Sequence, residues 1–208
     1  MSGIEELANC AIQGKVALPA PDRKGTMPLE QAIAKRRSRR RFLAQPLSLE
    51  QMGQLLWSAA GVTTPEGLRA APSAGAMYPL EVYAVCAEGL FHYQPDDHSL
   101  VKVNAEDLRG ALAIASWGQD FVAQAPFSVI LTAIYERTTT RYGERGNRYV
   151  HMDCGYAAEN VHLQAEALGL GSVSVGAFDD AAVSRVLSLE KSEQPLLIIP
   201  VGVIAGRG

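Results

Sequence analysis

Cysteine is scarce in this chain. Cys10, Cys86 and Cys154 are odd in number, far apart and never in a CxxC pair. A disulfide framework is therefore not expected, and a reducing compartment fits better. Long hydrophobic runs are missing, since no apolar stretch approaches the roughly 20 residues of a membrane span. The opening Met1-Ser2-Gly3-Ile4-Glu5-Glu6 has no basic flank before an apolar stretch, so no signal peptide is read and a cytoplasmic location is expected. An overall excess of positive charge is also absent: the net charge is -3, which argues against nucleic acid as a partner of the whole chain. There is no GxxxxGK[ST], no GxSxG and no HExxH, which excludes the P-loop, the hydrolase elbow and the zinc-protease helix; no metal is expected. What remains is an ordinary soluble composition, 48% apolar and 20% charged. Its 208 residues suffice for one full core or one subunit of an intertwined dimer.

Hydrophobic spacing sets the elements. Val16 to Thr26, with Pro19, Pro21 and Gly25, reads as an extended stretch, and residues 1–26 as an N-terminal arm before a domain over 27–208. A helix is expected over Pro28 to Arg37, with Leu29, Ala32 and Ile33 on one face. Ser48-Leu49-Glu50-Gln51 is a capping box that opens a helix ending near Gly61. Leu80 to Ala87, Leu90 to Gln94 and Ser99 to Val103 form a meander of strands. Asn104 is expected to cap a helix with Leu108, Ala111, Leu112 and Ala115 inward, and Pro126 to Ile134 reads as a central strand. Thr138 to Arg148 is polar and reads as a loop. A long helix follows from about Val150 to Leu168, stopped by Gly169. Gly171 to Gly176 reads as a strand, Asp179 as the cap of a short helix, and Gln194 to Ile204 as the last strand. Pro200 interrupts that strand and implies an edge or a bulge. Hairpins outnumber βαβ units, so the class is α+β.

Three segments stand out chemically. Lys35-Arg36-Arg37-Ser38-Arg39-Arg40-Arg41 packs six cations into seven positions, and removing them leaves a net charge of -9. Such a cluster is a solvated turn, a nucleic-acid patch or a phosphate site, for which arginine offers paired hydrogen bonds and Ser38 a hydroxyl. Pro72-Ser73-Ala74-Gly75-Ala76 has small side chains that let backbone approach a flat ligand, or is simply a small-residue loop before a strand. Gly169-Leu170-Gly171-Ser172 is not a dinucleotide fingerprint: the order is helix, glycines, strand, the reverse of what that site requires. Gly176 is less well explained and offers a backbone N–H. No cysteine has a general base beside it in sequence, and His151 reads as structural.

In this order the arginine turn, the Ser73-Ala74-Gly75-Ala76-Met77-Tyr78-Pro79 segment and the Gly-Leu-Gly-Ser after a long helix resemble the nitroreductase superfamily of FMN enzymes, from about Ile33 onward. The Ser73–Pro79 segment and Arg148-Tyr149-Val150-His151-Met152-Asp153-Cys154-Gly155 are most similar to its SagB-type dehydrogenase branch. The resemblance implies a mainly antiparallel sheet flanked by helices, an intertwined homodimer, and FMN between the subunits. Arg36, Arg37 and Ser38 would then hold the phosphate and ribityl tail, with Arg40 near flavin N1 and O2 and Phe42 as packing. Pro72, Ser73, Ala74, Gly75 and Ala76 would line the ring from the other subunit, with Ala76 where relatives often carry Asn. Gly176 and Ala177 would present an amide to flavin N5, and Arg207 would add a cation to the phosphate. No catalytic side chain is assigned, because the flavin carries the chemistry.

The resemblance also implies hydride transfer from NAD(P)H through N5 to a small organic acceptor, with ping-pong kinetics. Tyr78, Arg141 and Tyr142 are the candidate substrate contacts. The alternative is a SagB-type azoline peptide dehydrogenase. Those relatives often show Lys-Tyr where Arg141-Tyr142 stands here, and arginine is a poor general base.

Overall fold

The computed structural model describes residues 3–206. Seven strands form one antiparallel sheet: β1 (Lys15–Ala17), β2 (Leu80–Cys86), β3 (Gly89–Gln94), β4 (Ser99–Asn104), β5 (Phe127–Ile134), β6 (Leu170–Ser172) and β7 (Glu193–Val203), in the order β1-β4-β3-β2-β5-β7-β6. Among the described residues eight α-helices accompany it: α1 (Gly3–Asn9), α2 (Leu29–Lys35), α3 (Leu49–Ala60), α4 (Arg109–Ala115), α5 (Asp120–Gln124), α6 (Glu136–Tyr142), α7 (Arg145–Ala167) and α8 (Asp180–Leu187). The arrangement is the α+β layering expected.

Both faces of the sheet are covered, which is why the central strands β2 and β5 are buried along almost their whole length. Side chains alternate across a strand. Val82, Ala84 and Cys86 of β2 therefore join α3 and α7 in one core, while Tyr83 and Val85 join α4 and α8 in a second. At the far edge, β1 pairs with β4, and Leu7 of α1 is fully buried. The buried Lys102 ammonium donates to the carbonyls of Leu7 and Ala8 at 2.9 and 3.3 Å, closing the C-terminal end of α1. Among the described residues no helix is long and apolar enough to cross a membrane.

Several sequence expectations hold in detail. The capping box is complete, with Ser48 Oγ accepting from Gln51 N–H and the Gln51 side chain accepting from Ser48 N–H. Gly169 takes φ of 72° and ends α7, and Asp179 caps α8 by accepting from Ala182 N–H. Others need correction. Thr138 to Arg148 is helical: α6 and the first turn of α7 occupy it, because α6 packs along α7 with Thr138 buried and Gly146 against Thr139. Asn104 does not cap α4. Its Oδ1 accepts from Glu106 N–H in a local turn, and α4 starts only at Arg109. The helix expected to Arg37 stops at Lys35, and of its apolar face only Ala32 is buried; Leu29 is 60% and Ile33 56% exposed.

Pro200 lies neither at an edge nor at a bulge, since the register shift falls between Leu131 and Thr132 and β7 has neighbours on both sides. The carbonyl of Pro200 accepts from Val173 N–H at 3.3 Å, so its missing donor faces the β6 side. Pairing with β6 breaks there, resuming only as an isolated bridge between Val175 and Ile198. The expected strand over Gly171 to Gly176 is therefore cut short at Ser172.

Candidate cofactor and substrate site

The arginine turn follows α2 and docks on the end of β6. Ser38 bridges to Ser172, Arg39 N–H donates to the Ser172 carbonyl at 2.9 Å, and Leu43 N–H donates to Val203 at 2.8 Å. Gly171 lets the turn lie this close, for a Cβ there would stand 2.8 Å from the Arg39 Cβ. Arg36 reaches Glu159 of α7 at 3.7 Å. Arg37 donates to the carbonyls of Ala34 and Arg36 at 3.2 and 2.7 Å. Arg40 lies over the Phe121 ring at 5.8 Å. Among the described residues Arg37, Arg40 and Arg41 have no carboxylate partner, and the Arg39 Nε is buried without one. Phe42 is packing, buried with Ala125 and Val173.

A few residues on, the broken strand presents its backbone. Val175 exchanges both hydrogen bonds with Ile198, at 2.8 and 3.0 Å. Gly176 and Ala177 are then exposed, and among the described residues the Gly176 N–H has no backbone acceptor. The Ala177 carbonyl accepts from Gln119 at 3.0 Å. A Cβ on Gly176 would meet only Leu197, at 3.8 Å, so this chain's own packing does not demand glycine there.

The second cluster surrounds the Pro72–Ala76 loop. Gly75 has φ of 62° and Ala76 of 54°, a left-handed pair that turns the backbone sharply. Tyr142 and Arg141 lie directly over Gly75: a Cβ there would be 2.5 Å from the Tyr142 hydroxyl and 3.0 Å from the Arg141 guanidinium. Tyr142 packs edge-on against Tyr149, with centroids 5.2 Å apart. The polar groups of Tyr78 are all engaged. Its N–H donates to Ser73 Oγ at 2.9 Å, its carbonyl accepts from Arg137 at 3.1 Å, and its hydroxyl accepts from Arg69 N–H at 3.3 Å.

Two groups escaped the sequence reading. Asp153 of α7, 3% exposed, faces Ser73 and Ala74 with its Oδ2 unpartnered. Burial pushes its carboxyl above the usual range, against the opposing pull of Ser73 and the Ala74 N–H. His162, also on α7, bridges Ser172 Oγ through Nδ1 and Ser174 Oγ through Nε2, both at 2.7 Å. Burial, helped by the charge of Arg36, lowers its imidazole to about 4. The signals were faint but present. Ser172-Val173-Ser174 alternates with period two, which puts both hydroxyls on one face, and Asp153 falls within the buried stripe of Val150, Cys154 and Ala157.

The turn at 36–41 thus meets the 171–176 segment, and Arg141 and Tyr142 meet the Pro72–Ala76 loop. Among the described residues no hydrogen bond, ion pair or ring contact joins the two clusters. Arg207 lies outside the described residues. A groove of about 930 Å³ runs between α2, α3 and α7 and is lined by none of the site residues singled out from the sequence.

Residues 33–203 match the nitroreductase family. A protein of Methanocaldococcus jannaschii named as a nitroreductase is 46% identical over 180 residues, covering 84% of this chain and 90% of the relative. The trifolitoxin-processing protein TfxB of Rhizobium leguminosarum bv. trifolii is 33% identical over 71% of this chain. The microcin B17-processing protein McbC of Escherichia coli is 25% identical over 74% of it. This chain spans only 45% of TfxB and 61% of McbC. Among solved structures, that of a Ralstonia eutropha protein named as a nitroreductase superposes with a TM-score of 0.85 at 34% identity, covering 93% of this chain and 90% of the other. The NADPH:FMN oxidoreductase of Vibrio harveyi shares the fold, with a TM-score of 0.65 at 22% identity over 86% of this chain and 69% of its own. The chain belongs to the nitroreductase family, a group of oxidoreductases.

Proposed function

We propose that this chain is an FMN-dependent oxidoreductase, an NAD(P)H-linked reductase of small organic acceptors that works as a cytoplasmic homodimer through residues 27–208, with 1–26 as an arm. One observation carries the reading: a turn of arginines with almost no carboxylate counter-charge lies against a strand end from which a backbone amide projects. The residues fit FMN at both ends. A phosphate dianion would supply the counter-charge that Arg37 lacks, and the open space over Gly176 admits a flat ring. The name of the V. harveyi oxidoreductase supports the same cofactor.

In this reading Arg36, Arg37 and Ser38 hold the phosphate, joined by Arg207. Arg40 favours negative charge arriving on a bound ligand. The Gly176 N–H is the donor offered to N5, with Ala177 beside it. Pro72, Ser73, Ala74, Gly75 and Ala76 reach the ring from the second copy, and Tyr78, Arg141 and Tyr142 border the acceptor. Bound FMN would supply hydride transfer between NAD(P)H and the acceptor, so few side chains need react.

The separation of the two clusters within one chain supports the dimer, since each copy offers half a cleft. So do apolar side chains left exposed on two packed helices: Leu29 and Ile33 of α2, and Met152 and Tyr156 of α7. The test is colour. Purified protein should be yellow and bleach with NADPH or NADH under anaerobic conditions. Arg36→Ala with Arg37→Ala should release FMN from a folded chain; undiminished affinity would refute the phosphate assignment.

A second reading, the SagB-type azoline peptide dehydrogenase, is favoured by the similarity to McbC and TfxB and by Tyr142 and Arg141 lying on the Gly75 turn. Arginine is a poor general base, and Arg141 stands where those relatives often carry Lys, which weakens this reading. Yellow protein inert to both nicotinamides but bleached by a thiazoline peptide would establish it instead.

A further inference from the structure

The buried His162 serves neither core nor any role assigned above. It is 7% exposed and hydrogen-bonded at both ring nitrogens to serine hydroxyls. A neutral imidazole has one donor and one acceptor nitrogen, so one serine must donate to it and the other must accept. Burial decides which. Ser172 is 4% exposed, and among the described residues its hydroxyl has no side-chain partner but His162. Were Nδ1 protonated, the Ser172 O–H would be left buried without an acceptor, which costs the full desolvation of that group. Nδ1 therefore accepts from Ser172, and Nε2–H donates to Ser174 Oγ. Ser174 is exposed and keeps its own O–H unspent.

The place of that hydroxyl matters. Ser174 lies two residues before the exposed Gly176 amide. It also lies two residues after Ser172, which holds the arginine turn through its bridge to Ser38 and the Arg39 N–H. A ligand with its anionic end on the turn and its ring at Gly176 must pass this point.

We infer that Ser174 is a further cofactor-binding residue, its hydroxyl directed outward as a donor to an oxygen of the linker between phosphate and ring, and that His162 is the positioning residue that holds it. The inference rests on the FMN reading above.

The test is FMN affinity by flavin fluorescence quenching, with circular dichroism as the control for folding. Ser174→Ala changes an exposed position and should raise the Kd about three- to tenfold, the effect of one hydrogen bond. His162→Leu should weaken binding similarly, and adding Ser174→Ala to it should bring no further loss. His162→Gln keeps an acceptor and a donor on one side chain and should restore affinity toward wild type. If His162→Leu does not fold, Ser174→Ala and His162→Gln decide. Wild-type affinity in Ser174→Ala, with wild-type protein binding FMN, overturns the inference and leaves the reading of the site intact. Failure of the wild-type chain to bind FMN overturns that reading, and the role of Ser174 with it.

Discussion

Two buried titratable side chains on α7 make opposite demands on pH. His162 refuses a proton in the fold until about pH 4, whereas the unfolded imidazole accepts one near 6.5. Between those values the unfolded chain binds more protons, so stability falls as pH falls, by up to about 3 kcal/mol in all. His162→Gln should flatten this part of the acid limb in urea unfolding measured at several pH values; an unchanged limb would mean that the imidazole is not neutral in the fold. Asp153 runs the other way. Its carboxyl is raised by burial, so the unfolded chain ionises first and stability falls as pH rises above about 3.8. Asp153→Asn removes the buried charge while keeping an acceptor for Ser73 and Ala74. It should melt at higher temperature than wild type at pH 7.5, with the gap closing on acidification.

At the scale of elements, glycines hold the site together through close approaches. Gly75→Ala places a methyl on the Tyr142 hydroxyl in a left-handed residue, which should cost about 1–2 kcal/mol and shift the KM for the acceptor, checked by unfolding and steady-state kinetics. Gly171→Ala meets Arg39 and Ile204 and should push the arginine turn off β6, with a stability loss of about 1–3 kcal/mol and weaker FMN retention.

Legibility followed locality. The box at Ser48–Gln51, the stop at Gly169 and the cap at Asp179 are written in adjacent residues, and so is the arginine turn. Helix α6 is not, because Glu136–Tyr142 has no apolar period and is helical through its packing on α7. The start of α4 moved because Asn104 found a closer partner in Glu106. His162 and Asp153 could not be read as site residues from spacing alone: their partners lie on other segments, Ser172 and Ser174 in one case and Ser73 in the other.

The whole molecule leaves apolar side chains uncovered by its own core, Leu29 and Ile33 on α2 and Met152 and Tyr156 on α7 among them. Replacing Leu29 and Ile33 with Glu should leave the monomer folded, since neither is buried in it, while light scattering reports a single chain and bound FMN falls. A dimer that persists would move the interface elsewhere.

In the proposed dimer, covering those side chains would link flavin content to subunit concentration. If each cleft is completed only by a second copy, thinning the solution pulls the halves apart and frees the pigment even though no competitor has been added. Occupancy would then follow mass action in polypeptide as well as in FMN, and a dilute sample would pale where a concentrated one stays yellow.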